Sequence, residues 1–151
     1  MEIIFKLSNL LVFPFWMLML FLPRWRWTEQ IIRSPWVIAG PAGLYALLML
    51  PHLAEHVPTL LRPELNEIAG LLGSPTGATI SWTHFLAFDL FVGRWMYLDS
   101  RRRGVSAWLM SPVLFLTLLL GPLGFLLYLS LRTLLGRADS ANSVSDSTLT
   151  Y

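Results

Sequence analysis

From Ala107 to Leu131 the chain reads AWLMSPVLFLTLLLGPLGFLLYLSL, with no charged residue. About 20 apolar residues, rising about 1.5 Å each, cross the hydrocarbon core of a bilayer. This run therefore predicts a transmembrane helix, and the rest of the chain repeats the pattern. Residues 3–22, 36–53 and 80–98 are the other predicted spans. Of the 151 residues, 55% are hydrophobic and 13% are charged, against roughly 25% charged in ordinary soluble domains. A soluble fold of that composition would expose large apolar patches, which lipid would cover. The expected fold is an all-α integral membrane bundle of four transmembrane helices.

Charge and cysteine content narrow the classes further. A net charge of +2 gives no footprint for nucleic acid. The basic residues sit in short clusters between apolar runs, as loop charges do in membrane proteins. With no cysteine, disulfides, thiolate catalysis and cysteine metal sites are excluded.

The details of each span follow from its breakers and polar residues. Lys6, Ser8 and Asn9 place the opening turns of the first span at the interface, and Pro14 predicts a kink. Glu2 at the start, with no small-residue cleavage site after the run, argues against a signal peptide. Pro23-Arg24-Trp25-Arg26-Trp27 reads as an interfacial anchor. Gly40, Pro41 and Gly43 point to close packing or local unwinding in the second span. Residues 57–79 are rich in Pro and Gly. Within them, 63–72 predict a short amphipathic helix at the membrane surface between the second and third spans, with Glu64 and Glu67 near its positive end. Gly121, Pro122 and Gly124 predict a kink in the fourth span. The membrane domain is expected over 1–137, followed by a disordered polar tail over 138–151. Arg24, Arg26, Arg33 and Arg101–Arg103 outnumber Lys6, Arg62, Arg132 and Arg137. That places the two arginine-rich loops in the cytoplasm and both termini on the other side.

Ionisable groups inside a span are costly and so need a partner or a task. The third span carries His84, Asp89 and Arg94. None is three or four residues from another, so none pairs within the helix. Their partners must lie on other helices, in loops or on a ligand. The bland reading is an interhelical ion pair for Asp89 and a snorkelling side chain for Arg94. The functional one makes Asp89 a candidate general acid. His52-Leu53-Ala54-Glu55-His56 matches H-x-x-E-H, an inverted zinc-peptidase pattern. It places two imidazoles on one helical face with Glu55 beside them. The match is short and needs a third ligand, from Glu64, Glu67 or His84. A polar cap at the end of the second span is the simpler reading, and no metal or cofactor is expected. Trp95 to Arg103 reads as a helix exit, with aromatic rings at the interface, arginines at the headgroups and Asp99 beside an adjacent arginine.

These residues also carry a family resemblance. Pro63-Glu64-Leu65-Asn66-Glu67-Ile68-Ala69, Trp82-Thr83-His84 and Asp89-Leu90-Phe91-Val92-Gly93-Arg94 resemble the abscisic-acid-deficient-4-like family, which includes the plant neoxanthin synthase. That family's pattern is close to P-E-L-x-x-I-A followed by W-x-H-x4-D-L-F-x-x-R. Residues 11–16 and 121–124 look similar too, so the resemblance covers most of 10–130. The plant members carry a plastid transit peptide, which is not seen here. A bacterial or cyanobacterial member is therefore expected, in the inner membrane or thylakoid. The H-x-x-E-H segment stands outside the family pattern. The resemblance implies a carotenoid ligand in the bilayer and an epoxide-opening isomerisation without redox change. Asp89 or Glu64 would then be the acid, His84 the base and Arg94 an orienting charge. The alternatives are a non-catalytic carotenoid-binding or assembly protein and, as a minor one, a zinc-dependent membrane hydrolase using His52, Glu55 and His56. The oligomeric state is left open.

Overall fold

The computed structural model describes the backbone of residues 1–148, with side-chain surroundings given for residues 1–134. The polar tail expected over 138–151 enters this description only as backbone, helical as far as Thr148, and residues 149–151 lie outside it. Among the described residues the chain is helical throughout, with no strand. The helices are α1 (Glu2–Phe21), α2 (Arg26–Arg33), α3 (Trp36–Met49), α4 (Leu53–Leu61), α5 (Leu65–Gly73), α6 (Pro75–Arg102) and α7 (Ala107–Thr148).

Three stretches are long and apolar enough to cross a membrane: Glu2–Phe21, Trp36–Leu61 and Ala107–Leu134. The expected count of four is not reached, because the polar residues of α6 lower its hydropathy. The segment after Pro23 is helix α2, where sequence predicted only an anchor. The second span, expected over 36–53, is also longer than predicted. Pro51 lacks an N–H, and a short 3-10 turn, Leu50–His52, joins α3 to α4 there. The surface helix expected over 63–72 is α5. It ends at Gly73, and Ser74 then caps α6, its hydroxyl accepting from the Gly77 N–H.

Helix α6 is the axis of the fold, packed against α1, α2, α3, α5 and α7. Its two ends are chemically distinct, with α5 at one and Arg101–Arg103 at the other. Helix α1 runs parallel to it. Trp82 Nε1–H donates to Asn9 Oδ1 (3.2 Å) near one end, and Tyr97 OH donates to the Pro23 carbonyl (2.8 Å) near the other. Between them the buried Trp16 ring lies directly on Gly93, where any Cβ would strike it. Helix α3 runs antiparallel, from Arg94 level at its start to Tyr45 beside His84.

Helix α7 is not one kinked but continuous helix, as its composition predicts, but two helical segments. Leu120 (φ −134°, ψ 38°) and Gly121 (φ 8°, ψ −80°) leave helical geometry, and Pro122 follows. The chain folds back there. A Cβ added at Gly124 would collide with the Thr117 backbone, although seven residues of straight helix span about 10 Å. Thr117 sits beside Met96, Gly121 beside Asp89, and Tyr128 and Arg132 beside Asp99. Residues 107–119 thus descend along α6 from the arginine end. Residues 122–134 climb back to that end. Small residues at 121 and 124 permit the close turn. The core of Trp16, Met19, Leu90, Met96, Tyr97, Leu114 and Tyr128 fills the space between this hairpin, α1 and α6.

Candidate functional site

Because the hairpin turns at the level of Asp89, it covers only the arginine half of that face of α6. Below its tip a groove of about 820 Å³ remains. Asn9 of α1, Trp82, His84, Phe88 and Asp89 of α6, and the α7 turn at 118–122 line it. Much of this lining is apolar and outward-facing: Phe85, Phe88, Leu119 and Leu120 are all exposed. The groove therefore opens sideways along the bundle.

Among the described residues Asp89 is the only carboxylate in the groove. It is partly buried and makes no hydrogen bond or ion pair among the described residues. A Cβ at Gly121 would lie 2.5 Å from Asp89 Oδ1, so the glycine is what admits the carboxyl to the turn. The interhelical ion pair considered for Asp89 is not formed. His84 lies five residues away, about 140° around the helix. Its ring packs against Phe88 (centroids 4.9 Å apart) and Tyr45 (5.1 Å). His84 also lines a second pocket of about 200 Å³ with Tyr45, Met49, His56 and Ser81. It thus forms a wall between two spaces.

The structure places the other sequence candidates elsewhere. Arg94 points away from the groove. Its Nε–H donates to the Ile32 carbonyl (2.7 Å), and a second guanidinium nitrogen donates to the Arg33 carbonyl. It caps the last turn of α2, where unpaired carbonyls and the helix dipole favour a cation. Glu64 is exposed at the N-terminus of α5, with no side-chain capping bond, and lines neither space. His52 and His56 stack (5.9 Å, 11°), and His52 Nδ1 faces the Leu48 carbonyl at 3.0 Å. Glu55 is exposed. Among the described residues no three His, Asp or Glu side chains converge on a metal-sized point, so the H-x-x-E-H motif lacks its third ligand.

One cluster escaped sequence reasoning. Asp99 Oδ2 accepts from Tyr128 OH (2.6 Å), Arg132 Nε (2.9 Å) and Arg103 Nε (2.9 Å). Trp95 packs edge-on against Tyr128 and under the Arg132 guanidinium. Burial pushes the Asp99 carboxyl upward, but the three hydrogen bonds and the Arg103 charge outweigh it and hold it below the usual carboxylate range. Sequence showed the local Arg103 spacing. Tyr128 and Arg132 come into range only through the fold-back.

These features define an all-helical protein with three stretches able to cross a membrane and a lateral, mostly apolar groove holding one unpaired carboxyl. The chain belongs to the ABA DEFICIENT 4-like family, whose model matches residues 3–128. Nothing among curated proteins or among solved structures matches it.

Proposed function

We propose that this is a multi-pass membrane protein that binds a carotenoid in the groove beneath the α7 turn and isomerises an oxygenated end of it. The observation that carries the reading is the unpaired Asp89 carboxyl in an outward-opening, aromatic-lined groove, in a chain of the ABA DEFICIENT 4-like family, which by resemblance includes neoxanthin synthase. In this reading α6 crosses the bilayer as well. Its 28 residues reach about 42 Å, and its buried hydroxyls and Arg94 are answered by protein carbonyls, with Asp89 left unpaired among the described residues. Thr83 donates to the Thr79 carbonyl, Thr79 to Pro75 and Ser100 to Tyr97, while Arg94 is held by α2. Polar groups answered in this way are tolerated in hydrocarbon.

The chemistry is an epoxide opening coupled to loss of a vinylic proton. Asp89 gives a proton to the epoxide oxygen as the carbon–oxygen bond breaks. His84 takes a proton from the neighbouring vinylic carbon, and its electron pair forms the allene. One proton is gained and one lost, so the product is an isomer and no oxidant is needed. The groove supplies an apolar wall for the polyene and places both groups on its lining.

A non-catalytic pigment-binding role is the second reading, favoured by the packing of His84 between Tyr45 and Phe88. One experiment separates the two. The gene is deleted in its host, and carotenoids are extracted and resolved by chromatography, with wild type or Asp89→Asn restored. Loss of one carotenoid and build-up of its precursor, rescued by wild type alone, supports catalysis. Rescue by both variants supports binding without catalysis, and an unchanged profile on deletion overturns the carotenoid reading in that host.

A further inference from the structure

We infer that α7 is a re-entrant hairpin. It enters the membrane from the arginine face, turns beside Asp89 near the middle of α6 and returns to the same face. The chain then crosses three times, with α1, α3–α4 and α6, and residue 134 lies on the face opposite residue 1. This rests on the membrane placement proposed above and not on the carotenoid chemistry.

Three registers against α6 fix the geometry. Met96 meets Thr117, Asp89 meets Gly121, and Asp99 meets Tyr128 and Arg132. Going from 117 to 121 moves down α6 by seven residues. Going from 121 to 132 moves back up by ten, about 15 Å. A straight helix would carry Arg132 about 38 Å from Ala107, yet it shares a carboxylate with Arg103, four residues before Ala107. The backbone break at Leu120–Gly121 meets α6 at Asp89 on one side, while Leu120 and Pro122 stay exposed along the groove.

The distribution of basic residues is consistent with the same arrangement. With α7 folded back, Arg24, Arg26, Arg33, Arg101, Arg102, Arg103 and Arg132 share one face, and Lys6 and Arg62 occupy the other. A straight α7 moves Arg132 across and gives six against three. Seven against two is the asymmetry expected of a cytoplasmic face. The consequence for the groove is directional. The hairpin fills the arginine-side leaflet, so the open space from Trp82 to Asp89 faces the leaflet on the α5 side. A lipophilic ligand enters from that leaflet and reaches Asp89 at its inner end.

The absence of cysteine makes the test direct. Single variants Ser106→Cys, Thr133→Cys and Asn66→Cys, all at exposed positions, are treated with a membrane-impermeant maleimide in sealed vesicles of known orientation. The expected result is labelling of Ser106→Cys and Thr133→Cys from one side and of Asn66→Cys from the other. Labelling of Thr133→Cys together with Asn66→Cys overturns the hairpin. Labelling of Asn66→Cys together with Ser106→Cys overturns the membrane placement itself. A double variant, Trp95→Cys with Phe125→Cys, adds a second measurement, since those rings lie 5.8 Å apart. A short bis-maleimide bridges them only if the chain folds back, and no bridge in the inserted protein contradicts the hairpin.

Discussion

Asp89 and Arg94 lie on one helix, one an acid and the other a base, and have different surroundings. Sequence singled out both because ionisable groups are expensive at membrane depth. It could not show what holds either one: Arg94's partners lie far away in sequence, and Asp89 has none among the described residues. Arg94 is committed to the α2 carbonyls, a contact across about 60 residues with no pattern to announce it. Arg94→Ala is expected to cost about 1.5–3 kcal/mol, the range for hydrogen bonds to a charged group. Arg94→Lys recovers only part of this, since an ammonium does not reproduce the planar fork. Thermal unfolding in detergent measures both. Asp99 gives the pH dependence. Its carboxyl is depressed in the folded state, so its contribution is present above the unfolded value near 3.9 and is lost as pH falls through the lower folded value. Melting temperature should therefore hold down to about pH 4 and fall below it, and Asp99→Asn should flatten that acid limb. An unchanged limb in the variant would assign acid sensitivity to other carboxylates.

Among the elements, those with strong periodicity or length were legible. The spans at 3–22 and 36–53, the core of α6 at 80–98 and the surface helix at 63–72 follow from apolar runs bounded by breakers. Helix α2 was missed because eight residues with two arginines and a glutamate look like a charged loop. It is held in place by burial of Thr28 and Ile32 and by Arg94. Gly121-Pro122 was legible as an interruption, but composition gives no angle. A kink and a reversal share the same residues, and the difference rests on Gly124 packing against the Thr117 backbone. Gly124→Ala places a methyl into that backbone and is expected to destabilise by about 1–3 kcal/mol, as overpacking does. It should also weaken the Asp99 cluster, because both depend on the closed hairpin. If Gly124→Ala melts like wild type, the turn is looser than described.

At the scale of the whole molecule, α6 organises everything else. One end is tied to α1, α2 and α7 by Tyr97, Arg94 and Asp99. The other carries the Trp82–Asn9 contact and the capping Ser74. The hairpin ends halfway, and the uncovered half is the groove. The stretch from Trp82 to Arg94 therefore divides by place. Trp82, His84 and Asp89 line the open half, while Arg94 braces the closed one. Asp89 and His84, which sequence could not bring together, both line that groove. Glu64 is not brought to it, because it sits exposed at the start of α5.

The central claim is that the Asp89 groove both binds and converts an oxygenated carotenoid. The most direct measurement is turnover by purified protein in lipid discs supplied with an epoxy-carotenoid, followed by chromatography of the extracted pigment. The account predicts an isomeric product from wild type and a loss of about 100-fold or more in Asp89→Asn, the scale of a general acid, with pigment still bound. Conversion at the wild-type rate by Asp89→Asn, or no binding by wild type, would contradict it.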